Sequence, residues 1–166
     1  MTRRAHVFVA ITLALVSQGC RGSDTGGTER GGQDTSMGID GWTVYEQLAD
    51  KPWAELTEGQ QLLVALGDLR SELNNGGFDQ YFFNSAGDHA TTAVDAARIA
   101  GQESLADLVS RAMEALPGGY SPDRDRRQGA LEDLDPDALA VLDDEYFEIE
   151  STVDLDGAMN DLAGRA

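Results

Sequence analysis

Few residues in this chain are equipped for chemistry, and most of them stand alone. Ser85, Asp88 and His89 supply the three types of a nucleophilic triad, which needs a nucleophile, a base and an orienting group in contact. Neighbours at the start of a helix do not face one another in that way, so His89 reads as a cap or a surface group. The second histidine, His6, lies in an N-terminal signal, and Cys20 is the only cysteine, which leaves zinc without a ligand set. The acidic pairs Asp123/Asp125 and Asp154/Asp156 lack the glycine and distal glutamate of a calcium hand, so they offer only loose surface binding of divalent ions. There is no phosphate-binding loop. Gln80 and Asn84, four residues apart, could hydrogen-bond each other or exposed backbone ends, or form a polar pocket with Ser85. No catalytic residue, metal ligand or cofactor site follows from this inventory, and binding suits the chain better than catalysis.

Charge is the stronger signal. Over 166 residues, 30 acids face 12 bases, a formal net charge of −18. Such a surface repels phosphate, which excludes charge-driven binding to nucleic acid or anionic lipid. From Glu132 to Asp161 there are twelve acids (132, 133, 135, 137, 143, 144, 145, 148, 150, 154, 156 and 161) and no basic residue. Charged surfaces normally intersperse their signs. Asp143, Asp144, Glu145, Glu148 and Glu150 therefore form a candidate docking face for a basic protein, with plain solvation as the alternative.

The N-terminus carries an address. Arg3 and Arg4 precede an apolar run from Val7 to Val16 broken only by Thr12, too short for the roughly 20 residues a spanning helix needs. Residues 1–19 read as a lipoprotein-type signal peptide, and Cys20, after Gly19, as the residue that is acylated after cleavage. One cysteine forms no internal disulfide framework. Residues 20–40 read as a flexible tether: six glycines (22, 26, 27, 31, 32 and 38) lie among Ser, Thr, Asp and Gln, with nothing to bury. Its 18 residues from Arg21 to Gly38 have an r.m.s. reach of roughly 25 Å. The expectation is a bacterial cell-envelope protein, lipid-anchored to a membrane through Cys20.

Residues 41–166 show helical spacing throughout and no strand alternation. Trp42, Tyr45 and Leu48 predict a first helix, closed by Lys51-Pro52. Thr57 and Gln60 make a capping box before Leu62, Leu66, Leu69 and Leu73. Asn75-Gly76-Gly77 is expected to close that helix, because glycine accepts the left-handed conformation of a C-cap. An alanine-rich helix follows Asp88, with Ala90, Ala93, Val94, Ala97 and Ala100 before Gly101, and Leu105 to Leu116 define another. Ser121-Pro122 predicts a helix start with serine as cap. Leu139 to Ile149 and Leu155 to Leu162 complete six or seven helices, an all-α compact single domain.

The most distinctive passage runs from Glu72 to Gly87. Phe78, Tyr81 and Phe82 sit at i, i+3 and i+4, which points three rings one way, and glycines bracket them. This series of Asn75, Gly76, Gly77, Phe78, then Gln80, Tyr81, Phe82, then Asn84, Ser85 and Gly87 resembles the DNA mimic protein 19-like family. Ala93 to Ala100 and Leu142 to Phe147 are similar to the family's following helices, so the likeness covers roughly Trp42 to Ala163. The resemblance implies an all-α fold and, for the family's namesake, an acidic surface that imitates DNA. It implies no catalytic residue. The motif itself is expected to be structural, since aromatics at helical spacing usually enter a core. The export signal separates this chain from an antagonist that works in the cytoplasm, because fold does not fix function. The reading is a membrane-tethered acidic module that binds a protein partner. The alternatives are a DNA-mimic or immunity-type inhibitor of a basic protein, and a hydrolase working at Gln80, Asn84 and Ser85.

Overall fold

The computed structural model describes residues 40–135 and 137–166. The signal peptide, Cys20 and the tether lie outside the described residues, apart from Asp40. Asp40 is the N-cap of the first helix, its side chain accepting from the Trp42 N–H at 3.2 Å. Among the described residues there are seven α-helices and no strand: α1 Gly41–Leu48, α2 Glu58–Phe83, α3 Ala90–Ile99, α4 Glu103–Ala115, α5 Arg124–Glu132, α6 Ala140–Thr152 and α7 Leu155–Ala163. Two short 3-10 turns, Trp53–Glu55 and Ser85–His89, join α1 to α2 and α2 to α3.

The 26-residue α2 is the axis of a compact all-α domain, and α1, α3, α5, α6 and α7 all pack against it, while α4 packs on α3 and α6. Its N-terminus is the expected capping box, with Thr57 and Gln60 exchanging two 3.2 Å hydrogen bonds. Leu63, Leu66, Leu69 and Leu73 are fully buried, each stabilising the fold by about 1.5–3 kcal/mol relative to exposure. Leu62 sits at the edge of this stripe and is half-buried. The alanines of α3 let it lie close on α2: Ala90, Ala93, Ala96 and Ala97 have no exposed surface.

The structure corrects three helix ends. Asn75-Gly76-Gly77 interrupts α2 without ending it: Gly76 (φ −168°, ψ 19°) and Gly77 (φ +71°, ψ −167°) leave helical geometry, and the helix resumes at Phe78. The break frees the Phe78 N–H, which donates to Asp143 Oδ1 of α6 at 2.8 Å, and Asn75 Nδ2 donates back to the Ser71 carbonyl at 2.8 Å. A long-range partner for the freed amide is what lets the chain bend and continue. At α5 the cap is Asp123, accepting from the Arg126 N–H at 2.9 Å, and Ser121 and Pro122 precede the helix. Finally, α1 ends at Leu48 with Ala49 as its cap, before Lys51-Pro52, and Pro52 leads into the 3-10 turn.

Candidate functional site

The Glu72–Gly87 passage folds around a residue that sequence reasoning missed. Arg127 of α5 is 1 % exposed, and its guanidinium reaches three chain segments. Nε donates to the Phe82 carbonyl at 2.7 Å, and Nη2 to the Asn84 carbonyl at 2.9 Å and to Asp88 Oδ1 at 2.6 Å. Nη1 donates to the carbonyls of Ser121 and Pro122 at 3.0 and 3.2 Å. The guanidinium therefore satisfies carbonyls at the C-terminal end of α2, where the helix dipole also favours a cation, and Asp88 balances its charge. Its backbone neighbours explain why Ser121 and Pro122 stand outside α5.

The rest of the motif makes room for this arginine. A Cβ on Gly87 would lie 2.6 Å from the Tyr81 carbonyl oxygen and 2.9 Å from Arg127 Nε, so only glycine lets the turn pass. The Tyr120 hydroxyl lies 2.9 and 2.8 Å from the Gly87 and Asp88 carbonyls and closes the same turn. Phe78, Tyr81 and Phe82 have no exposed surface, with Phe82 packed 5.9 Å from Phe78 and 5.2 Å from Tyr81 between ring centres. The Gln80 and Asn84 side chains do not bond each other: both amides donate to Glu72 Oε2, at 2.6 and 2.9 Å, tying the second segment of α2 back to the first. Gly77, at positive φ, sits against Asp143, and a Cβ there would lie 2.6 Å from the carboxyl carbon.

Ser85, Asp88 and His89 form no triad, in keeping with their adjacent positions in sequence. Asp88 is turned to Arg127, and His89 stacks on Trp53 with ring centres 3.5 Å apart and planes 6° apart. Burial lowers the His89 pKa, with Asp88 opposing that shift. Ser85 is exposed, away from any such pairing. Asp123 caps α5, Asp154 caps α7 by accepting from the Gly157 N–H at 2.8 Å, and Asp156 pairs with Arg70 at 2.9 Å. Among the described residues no helix is long and apolar enough to cross a membrane.

The five acids of α6 singled out by the sequence divide into two sets. Asp143 is half-buried at the α2 kink; burial raises its pKa, and the hydrogen bond from Phe78 opposes that rise. Glu145 is paired with Arg111 of α4. Glu150 accepts from Asn74 Nδ2 and the Tyr146 hydroxyl, both at 3.1 Å, with Arg70 Nη2 at 3.6 Å. These three hold α6 to the core. Asp144 and Glu148 are exposed, and their carboxylates have no hydrogen bond or ion pair among the described residues. Beside them on the outer face stand Val141, 70 % exposed, and Phe147, 48 % exposed.

In this all-helical domain the Arg127 constellation locks the domain's own backbone, so the family motif around it is structural. The family model for DMP19-like protein matches residues 54–163, well over half of the chain. The chain belongs to the DMP19-like protein family. The match begins at the turn before α2 and ends with α7, so it takes in Arg127 and every motif residue around it. No curated protein and no solved structure matches the chain.

Proposed function

We propose that this protein is a non-enzymatic module, tethered to a cell-envelope membrane through Cys20, that binds a basic protein partner through the outer face of α6. One observation carries the reading: the carboxylates of Asp144 and Glu148 are unpaired among the described residues, and on α6 they stand between exposed Val141 and Phe147. Exposed apolar side chains interleaved with unpaired charges of one sign fit a docking surface better than a merely solvated face. The uniform sign accelerates encounter with a cationic partner and discourages anionic ones. The family match also supports a second reading, an inhibitor that presents this acidic face in place of DNA to a DNA-binding protein; the export signal weighs against it. The hydrolase alternative loses its support, because Gln80 and Asn84 are engaged with Glu72.

The test is capture of partners from detergent-solubilised envelopes by the full chain. Wild type and the Asp144→Lys/Glu148→Lys variant are compared at low and at physiological salt. A protein retained by wild type, released by salt and absent from the variant supports the reading. Equal retention by both removes α6 from it.

A further inference from the structure

A cleft of about 350 Å³ runs between α3 and α4 and is closed at one end by Gly119 and Tyr120. Thr91, Val94, Asp95 and Arg98 face it from α3, and Ser110, Met113 and Glu114 from α4, each set at helical spacing. The floor is apolar: Val94 is buried, Met113 is half-buried, and the half-buried Tyr120 is fixed by its hydroxyl at the Gly87 and Asp88 carbonyls. The rim is acidic. Asp95 and Glu114 are exposed, and neither has a hydrogen bond or ion pair among the described residues. The one cation of the rim, Arg98, is drawn towards Glu103 and Asp107, at 4.0 and 3.9 Å. Asp95 and Glu114 therefore stand above an apolar floor without a counter-charge in contact.

The matching ligand has an alkyl stem and a cationic head. An anion would meet two carboxylates on a chain of net charge −18, and a neutral chain would leave the rim unanswered. The volume lies at the low end of the roughly 300–1,000 Å³ of ligand pockets, which suits one extended side chain better than a cofactor. Arginine and lysine both lay their methylenes on apolar surface while the head stays polar, and a guanidinium adds stacking on the Tyr120 ring. We propose that the α3–α4 cleft seats an arginine or lysine side chain of a basic protein partner. This rests on the reading of a basic partner and adds a point of attachment away from the α6 face, of the kind where binding energy concentrates.

The probe is a blocked peptide, acetyl-Gly-Arg-Gly-amide, titrated into the isotopically labelled full chain and followed by the methyl resonances of Val94 and Met113. Its control is the citrulline peptide, which keeps stem and shape and lacks the charge. The arginine peptide is expected to give saturable shifts at those methyls, with the citrulline peptide at least tenfold weaker. Asp95→Asn/Glu114→Gln should weaken the arginine peptide at least tenfold, whereas Arg98→Gln, which removes the competing cation, should tighten it several-fold. Both substitutions are at exposed positions and should leave the melting temperature unchanged. Equal binding of the two peptides, or wild-type affinity in the double variant, overturns the proposal. Shifts spread over all surface acids with none at the two methyls do the same. The Asp144→Lys/Glu148→Lys variant separates this from the α6 reading: it should bind the peptide as wild type does, so the cleft can fail while α6 stands, and the reverse.

Discussion

Replacing Arg127 with methionine keeps the length of the buried stem and removes the charge and every donor. Five N–H···O contacts disappear, and at the end of α2 the Phe82 carbonyl loses Arg127 Nε while the Asn84 carbonyl keeps only the Gly87 N–H at 3.3 Å. Breaking a buried ion pair by removing one member typically costs about 3–5 kcal/mol. Here the lower end applies, because the Asp88 side chain is 33 % exposed and regains water once the guanidinium is gone. Arg127→Met should therefore destabilise the domain by about 3 kcal/mol, a fall in Tm of roughly 10 °C for a domain of this size. Arg127→Lys should recover only part of this, since a compact ammonium with three donors does not span carbonyls on three segments. Urea unfolding of residues 40–166, with a constant m-value, measures both. Gly87→Ala should cost about 1–3 kcal/mol by crowding, and less in the Arg127→Met background, because the clash with Nε is relieved while that with the Tyr81 carbonyl remains. A midpoint for Arg127→Met equal to wild type, or strictly additive Gly87 and Arg127 effects, would refute the claim that the motif exists to seat this arginine.

Gly77→Val should destabilise by about 1–3 kcal/mol, combining a positive φ with the approach to Asp143, and a thermal melt checks it. Asp68, half-buried and accepting from the Tyr45 hydroxyl at 2.8 Å, has its pKa raised chiefly by burial, with that hydrogen bond opposing. A raised carboxyl pKa means the folded protein binds its proton before the unfolded chain does, so this group adds stability as pH falls from neutral towards the usual carboxylate range. Asp68→Asn should accordingly be more stable than wild type at pH 7, with the difference shrinking towards pH 4; a gap that widens on acidification would reverse the sign of the argument. Cys20→Ser should leave the domain folded and abolish acylation, read as intact mass and membrane fractionation; acyl-free wild type found in the soluble fraction would contradict the anchor.

Helix count, helix type and the α2 capping box were legible because each rests on local spacing and local hydrogen bonds. The Gly76-Gly77 kink was half legible. Glycine at positive φ was readable, but whether the helix stops or bends depends on Asp143, 65 residues away, supplying an acceptor for Phe78. Arg127 was not legible: it sits in Arg124-Asp125-Arg126-Arg127, where composition announces solvent. The faint signal was its register, because Ala130 and Leu131, at i+3 and i+4, share its face and pack on the core. The acidic stretch showed the opposite fault. Sequence treats Asp143, Glu145 and Glu150 alike with Asp144 and Glu148, and only the partners on α2 and α4 separate fastening acids from free ones.

The most direct measurement is the affinity of the full chain for its captured partner as a function of salt, for three forms of the chain. Wild type should lose affinity steeply between 0.01 and 0.15 M salt as screening shortens the Debye length from about 30 to about 8 Å. Asp144→Asn/Glu148→Gln should start weaker, through slower association, and show a shallower salt slope. Asp135→Asn/Asp137→Asn, an equal loss of charge on the segment before α6, should track wild type. If both double variants weaken binding to the same degree, net charge alone is at work and the α6 face is not the docking site.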